Sequence, residues 1–309
     1  MFSSTADFRC RVCASPMRIW KSPCTGFTWG RCSACGSVQK IIDENCFESL
    51  SPSYDPGYLS SDALLTADLE KAMGVEEKTR LLRSVLGLKA EGRLLDIGCG
   101  MGGFLLAGKR LGLDVEGIDP SASHTRAAVE IFGLKASCGY FDPVGFDSCF
   151  NVVVLSHVIE HIYDPRKFLE GVMQVLCPNG RLIVITPNCS ALSARVTGRF
   201  WSMYKPIDHV TMFTKHTLRA SLPVSAIVEQ LRTSEWPGEF AAHIISASKT
   251  VFKPEISNVA VKQSRVTVRH DTLSVTTRVI LAIASFPFYA LGRVIDKQSC
   301  LYAVIRKAE

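Results

Sequence analysis

The stretch Leu94–Gly103, LLDIGCGMGG, constrains the chain more than any other. Leu94, Leu95, Asp96 and Ile97 read as a buried strand, Gly98, Gly100, Gly102 and Gly103 as a tight turn, and Phe104–Leu111 as a helix. Glycine lets the backbone approach a ligand, and the first N–H groups of the helix point at its polar end. A strand, a glycine turn and a helix N-terminus predict a nucleotide-cofactor site. Dinucleotide sites share such turns. Asp96 inside the strand end, and Asp119 ending the next apolar strand (Val115–Ile118), set this one apart.

The alternation around this stretch is regular. Strands are expected at Arg93–Ile97, Asp114–Asp119, Lys135–Gly139, Asn151–Ser156 and Arg181–Thr186, with helices at Glu76–Leu88, Gly103–Leu111, Ser121–Phe132 and Arg166–Leu176. Continuous apolar strands alternating with helices imply an α/β fold, a doubly wound and mostly parallel sheet covered on both faces. Ligands bind outside the carboxyl ends of such strands. Beyond Asn188 the expectation is a helix over Ser190–Gly198, an aromatic loop over Arg199–Phe213 and a helix capped by Thr214. A strand at Ile227–Thr233 and a last antiparallel strand at Leu301–Ile305 complete a seven-stranded sheet. Residues 234–270 read as a loop-rich excursion.

Residues 8–46 look like a separate module. Cys10-x2-Cys13 is followed after eighteen residues by Cys32-x2-Cys35. Four thiolates at this spacing suit a tetrahedral zinc ion, and a closed four-sulfur site makes the metal structural. The segment is too small to bury a core alone, so metal supplies folding energy. Cys24 and Cys46 lack partners at ligand spacing. The expected organisation is a zinc ribbon over 1–46, a linker and helix over 47–75, and a cofactor-binding domain over 76–309. That domain carries an acceptor-side insert at about 190–272 and an apolar helix at about 276–294.

Two further stretches, FNVVVLSHVIEHIYDP (150–165) and LCPNGRLIVITPN (176–188), complete the pattern. With the glycine turn and Asp119, they resemble class I S-adenosylmethionine-dependent methyltransferases. The four-cysteine ribbon and the later Trp201-x4-Pro206-x2-His209-x3-Phe213 resemble bacterial methyltransferases of polysaccharide and secondary-metabolite sugar pathways. The core is similar to ubiquinone-biosynthesis O-methyltransferases. Asn151 stands where that pattern has Asp, and Asn179 where it has Gly; neither falls in the expected cofactor pocket.

The resemblance implies methyl transfer from S-adenosylmethionine to a small molecule, sugar or glycan intermediate, at oxygen or carbon. The implied cofactor residues are Asp96, Gly98, Cys99, Gly100, Gly102, Asp119, Pro120, Tyr140 and Ser156. Asp119 can accept both ribose hydroxyls, or serve as a helix N-cap. His157, Glu160 and His161 lie just past the fourth strand. Histidine titrates near neutrality and suits proton removal from an acceptor. On a helical turn His157 and His161 would share one face at i,i+4. Alternatively these three residues bind a divalent metal or brace the loop. Trp201 and His209 are assigned to an acceptor lid.

The net charge of +6 over 309 residues is modest and spread out, so it does not demand nucleic acid. An RNA methyltransferase using the ribbon for grip is an alternative, as is a non-catalytic binding protein. The N-terminus lacks a secretory pattern, which predicts a cytoplasmic protein with reduced thiols. Cys99, Cys138, Cys149, Cys177 and Cys189 then serve as small core residues. Val279–Gly292 is fourteen residues without a charge. A bilayer span takes about 20, and Pro287 interrupts the stretch, so a buried or surface-lying helix is expected, with peripheral membrane contact through 279–292 as an added hypothesis.

Overall fold

The structure, a computed structural model, describes residues 8–22, 26–42, 66–87, 91–146, 149–204, 208–235, 239–252 and 275–308. Cys24, Cys46, Pro206 and most of the expected linker lie outside the described residues. The chain enters through β1 (Met17–Lys21), β2 (Thr28–Cys32) and β3 (Val38–Lys40), then α1 (Thr66–Ala72) and α2 (Val75–Leu86). The alternating part follows: β4 (Arg93–Ile97), α3 (Gly103–Arg110), β5 (Asp114–Asp119), α4 (Ala122–Phe132), β6 (Ala136–Cys138), β7 (Phe150–Ser156), α5 (Pro165–Val175) and β8 (Leu176–Pro187). Then come α6 (Leu192–Thr197), β9 (Thr211–Met212), α7 (Lys215–Ser221), β10 (Ala226–Ser234), α8 (Glu239–Phe252), α9 (Val275–Val294) and β11 (Cys300–Lys307).

Seven strands form one sheet in the order β10-β11-β8-β7-β4-β5-β6. The five from β8 to β6 run parallel, and β11 enters antiparallel between β8 and β10. Successive residues of the central strands are buried on opposite faces. Leu95, Ile97, Val153, Leu155, Leu182 and Val184 pack with Leu169 and Val172 of α5. Leu94, Val152, Val154 and Ile183 pack with Leu82 of α2 and with Phe104 and Leu105 of α3. This two-sided burial is why the strands read as unbroken apolar runs. Consecutive connections from β4 pass to β5 on one side and, later, to β7 on the other. The crevice at that reversal is where an open α/β sheet binds its ligand.

Several sequence-based expectations change. The ribbon is not a separate module: β3 pairs with β9, aligning Val38 with Met212 and Gln39 with Thr211. Trp29 and Val38 share a core with Cys189, Ala194, Trp201, Tyr204 and Met212. Residues 239–252 are a helix rather than part of a loop. Cys149 and Cys177 are not free core thiols but a disulfide. The Cα atoms of Cys149 and Cys177 stand 4.9 Å apart, inside bridging range. Cys138 is an exposed thiol. No helix among the described residues is long and apolar enough to cross a membrane. Ile283, Phe286, Leu291 and Val294 of α9 stand exposed.

The two asparagine departures have local explanations. Asn179 adopts φ 60°, a left-handed conformation that Asn tolerates, and its Oδ1 accepts from Arg306 Nη1 at 2.7 Å. Asn151 Oδ1 accepts the Arg93 N–H at 2.9 Å at the entry of β4. Gly92 beside it has φ +104°, and a Cβ there would stand 2.0 Å from Asn151 Oδ1. Gly92→Ala is therefore expected to cost about 2 kcal/mol or more from backbone strain and displacement of that bond. A urea midpoint equal to wild type would contradict this.

Candidate active site

The turn after β4 is held by β5. Gly98 and Cys99 donate their N–H groups to Ile118 O at 2.7 and 3.2 Å. Asp119 Oδ2 accepts the Gly100 N–H, and Oδ1 accepts the Ser121 N–H, both at 2.8 Å. One carboxylate thus ties together the turns that follow two adjacent strands. Gly98 has φ +74°, and a Cβ there would meet Val158 Cγ2 at 2.4 Å. Gly100 has φ +52° with nothing within 4 Å of its would-be Cβ, so it faces open space. The helix cap is Ser121, which accepts from His124 N, so capping does not fall to Asp119.

Asp96 is 2% exposed, and its Oδ1 has no hydrogen-bond partner among the described residues. Burial pushes its carboxyl up to about 8; Lys78 opposes this and Asp119 reinforces it. An orphaned buried oxygen calls for a donor. S-adenosylmethionine offers ribose hydroxyls, an ammonium group and a sulfonium. The unused lone pairs of Asp119, the bare oxygen of Asp96 and the open backbone at Gly100 fit those groups. Cys99 is buried against Gly117, walling the turn from below. Pro120 and Tyr140 are exposed at the ends of β5 and β6, and Ser156 is half-buried at the end of β7. These sequence-assigned residues gather along the carboxyl edge of the sheet.

The second half of the site corrects the sequence reading in detail. His157 and His161 do not share a helical face. His157 takes φ 57°, costly for a non-glycine residue, and only a short 3-10 turn, Ile159–His161, follows. The turn aims His157 back onto Glu160, with Nδ1 3.2 Å from Oε1. Glu160 is fully buried, and its Oε2 accepts from Thr186 Oγ1 at 2.9 Å. His161 Nδ1 lies 3.2 Å from Asp208 Oδ2, and its ring is 4.9 Å from that of His209. His209 Nδ1 lies 2.9 Å from Met203 O, which assigns that nitrogen as donor.

The half-exposed His157 ring loses some solvation, which works against its protonation, but the Glu160 hydrogen bond and charge outweigh this and raise its pKa. His161 is raised in the same way by Asp208. Burial opposes ionisation of Asp208, yet the His161 bond holds it down to about 2. His209 has no adjoining carboxylate bond, and burial lowers its pKa. Asp208 was missed by the sequence reading, although it immediately precedes His209. Glu239 was also missed; from α8 its charge adds to the attraction on His157. Trp201, assigned to a lid, is fully buried. It packs against Tyr204 at 5.3 Å and His243 at 5.8 Å, sealing the joint between ribbon and insert.

Among the described residues, two groups could hold a metal ion. The sulfurs of Cys10, Cys13, Cys32 and Cys35 all lie within 4.8 Å of one another. Cys10 and Cys35 are 3.6 Å apart, Cys13 and Cys32 3.5 Å. Sulfurs bound at about 2.3 Å around a tetrahedral centre stand roughly 3.8 Å apart, so the spacing fits zinc. The N–H groups of Val12 and Cys35 approach Cys10 and Cys32 sulfur at 3.4 Å, as thiolate acceptors require. Glu160, His161 and His209 form the second group. There, both Glu160 oxygens are already engaged by His157 and Thr186.

Comparison with known proteins agrees with this geometry. Residues 70–222 match a family described as a methyltransferase domain. The chain is 34% identical over 118 residues to a ubiquinone biosynthesis O-methyltransferase of Bradyrhizobium diazoefficiens, covering 37% of this chain and 45% of that protein. It is 29% identical over 141 residues to an uncharacterized methyltransferase of Staphylococcus carnosus, covering 45% and 65%. The chain thus spans about half the length of the curated relatives it matches. A solved S-adenosylmethionine-dependent methyltransferase from Archaeoglobus fulgidus superposes with a TM-score of 0.45 at 19% identity, covering 77% of this chain and 98% of that one. With its seven-stranded sheet and glycine turn, the chain carries a class I methyltransferase domain across residues 70–222.

Proposed function

We propose that the protein is an S-adenosylmethionine-dependent O-methyltransferase acting on a hydroxyl-bearing small molecule, a sugar or glycan intermediate included. The observation that carries this reading is the His157–Glu160 pair standing beside the glycine turn, at the mouth of the crevice between β4 and β7. The relatives named for ubiquinone biosynthesis O-methylation support oxygen as the atom modified. The methyl donor supplies an already activated methyl group, so the protein mainly aligns the acceptor and manages its proton. Asp119 would hold the ribose, and Asp96 and the Gly98–Gly100 backbone the amino-acid end.

With Nδ1 hydrogen-bonded to Glu160, His157 keeps its lone pair on Nε2. That nitrogen takes the acceptor hydroxyl proton. Glu160 stabilises the resulting imidazolium, and Thr186 fixes Glu160 in place. The positive charge is shared with a carboxylate that cannot move, since it is buried on every side. Asp208 favours the protonated form of His161 and lines the same mouth with a second histidine. The four ribbon cysteines are read as a structural zinc site. Metal analysis of purified protein is expected to give one zinc per chain, and none in Cys32→Ser/Cys35→Ser.

Calorimetric titration with S-adenosylhomocysteine is expected to show a loss of about 30-fold or more in Asp119→Ala, roughly 2 kcal/mol for charge-assisted hydrogen bonds. Unchanged affinity would remove Asp119 from the cofactor site. His157→Ala is expected to lower methyl transfer about 100-fold with cofactor affinity retained. The assay uses labelled S-adenosylmethionine against phenolic and sugar hydroxyl acceptors. Because the unprotonated ring is the active form, the rate should rise with pH. Its midpoint should lie above the ordinary histidine value of 6.5, and Glu160→Gln should move that midpoint down. A wild-type rate in His157→Ala, or a midpoint unmoved by Glu160→Gln, would contradict the assignment.

A further inference from the structure

We infer that the cysteine ribbon is a positioning element of the acceptor side, and that Arg11 transmits its position to His161 and His209. The inference rests on the zinc reading of the ribbon and on the proposed site. Arg11 lies inside the first knuckle, between Cys10 and Cys13. Its side chain does not project outward, as a nucleic-acid grip would require. Nη1 donates to Lys40 O at 3.1 Å, and Nη2 donates to Val210 O at 2.8 Å and Thr211 Oγ1 at 3.2 Å. The guanidinium also lies 4.6 Å over the ring of Tyr163.

Apart from Lys40 in the ribbon's own β3, those partners belong to two segments far apart in sequence. Tyr163 lies two residues past the turn that carries Glu160 and His161. Val210 and Thr211 directly follow Asp208 and His209. The segments are cross-linked where Arg11 reaches them: Val210 N–H donates to Glu160 O at 2.8 Å, and Thr211 Oγ1 to Ile162 O at 3.3 Å. Just beyond this joint His161 meets Asp208 and His209. On the ribbon side, the Arg11 N–H donates to Gln39 Oε1 at 3.0 Å, and Gln39 Nε2 approaches Cys10 sulfur at 3.4 Å. A continuous chain of polar contacts therefore runs from a ligand sulfur to the backbone of Glu160. A planar guanidinium can bridge two carbonyls and stack on a ring together; an ammonium cannot. Closing the ribbon around its metal fixes the Arg11 backbone, and Arg11 fixes the spacing of the two histidine-bearing segments. Arg11 acts through these segments and touches no reacting atom.

The test uses the full-length, zinc-loaded protein labelled in its histidine rings and read by NMR, with His161→Gln and His209→Gln assigning the two signals. Arg11→Met is expected to keep one zinc per chain and bind S-adenosylhomocysteine within about twofold of wild type. It should shift the ring signals of His161 and His209 and leave those of His124 and His216 in place. Arg11→Lys should return the two signals part of the way. Removal of zinc by a chelator should displace the same two signals. If Arg11→Met does not fold, Thr211→Val, close in shape and lacking only the hydroxyl, should shift the same signals by a smaller amount. Wild-type positions for both histidines in folded Arg11→Met or Thr211→Val, with zinc bound, would overturn the inference. Failure of the wild-type protein to bind S-adenosylhomocysteine would instead overturn the proposed function, and the histidine signals would still report on Arg11.

Discussion

The carboxylate of Asp119 is the constraint on which the cofactor half of the site depends. It stands at the end of β5 and accepts one N–H from the glycine turn after β4 and one from the cap of α4. Without it, two adjacent loops would each present unpaired donors to a crevice built to hold an anion-poor, cationic ligand. With it, Gly98, Gly100 and Gly102 keep left-handed geometry and the face at Gly100 stays clear. Asp96, buried with one bare oxygen, places a second acid beside the first. Burial raises the pKa of Asp96, and the charge of Asp119 adds to the rise, so the pair is tolerable if Asp96 is neutral or if a cation joins them.

The other half of the site is built by a different device. No regular element carries His157, Glu160, His161, Asp208 and His209 as a set. They are brought together by a strained residue at the end of β7, a single 3-10 turn and a two-residue strand. Such short pieces have little stability of their own. Their order comes from what packs against them, the ribbon included. The core containing Trp29, Val38, Trp201, Tyr204 and Met212 belongs equally to ribbon and insert. A small segment with too little apolar surface to fold alone is thereby stabilised twice, by its cysteines and by the domain it braces.

The sheet was legible in the sequence because its strands are buried on both faces, and runs such as NVVVLS admit little else. The glycine turn, Asp119 and the four-cysteine spacing were legible because each needs particular residue types at fixed separations. The details of the proton network were not. A left-handed histidine leaves no signature in composition, so a helical spacing was read where the chain turns back on itself. Trp201 looked like a lid because a lone tryptophan in a polar loop resembles a binding face; its burial depends on a ribbon 170 residues earlier in the chain. Helix α8 is apolar around much of its surface and lacks a clear polar face, so its periodicity is weak. The Cys149–Cys177 bridge depends on the residues flanking β7 and β8 meeting in space, which a single sequence does not reveal.

The most direct measurement is a crystal structure of the protein with S-adenosylhomocysteine. The account predicts the ribose hydroxyls on Asp119, the amino-acid end between Asp96 and the Gly98–Gly100 backbone, and the sulfur facing the opening beside His157. A nucleoside bound away from Asp119, or a sulfur directed away from His157, would contradict it.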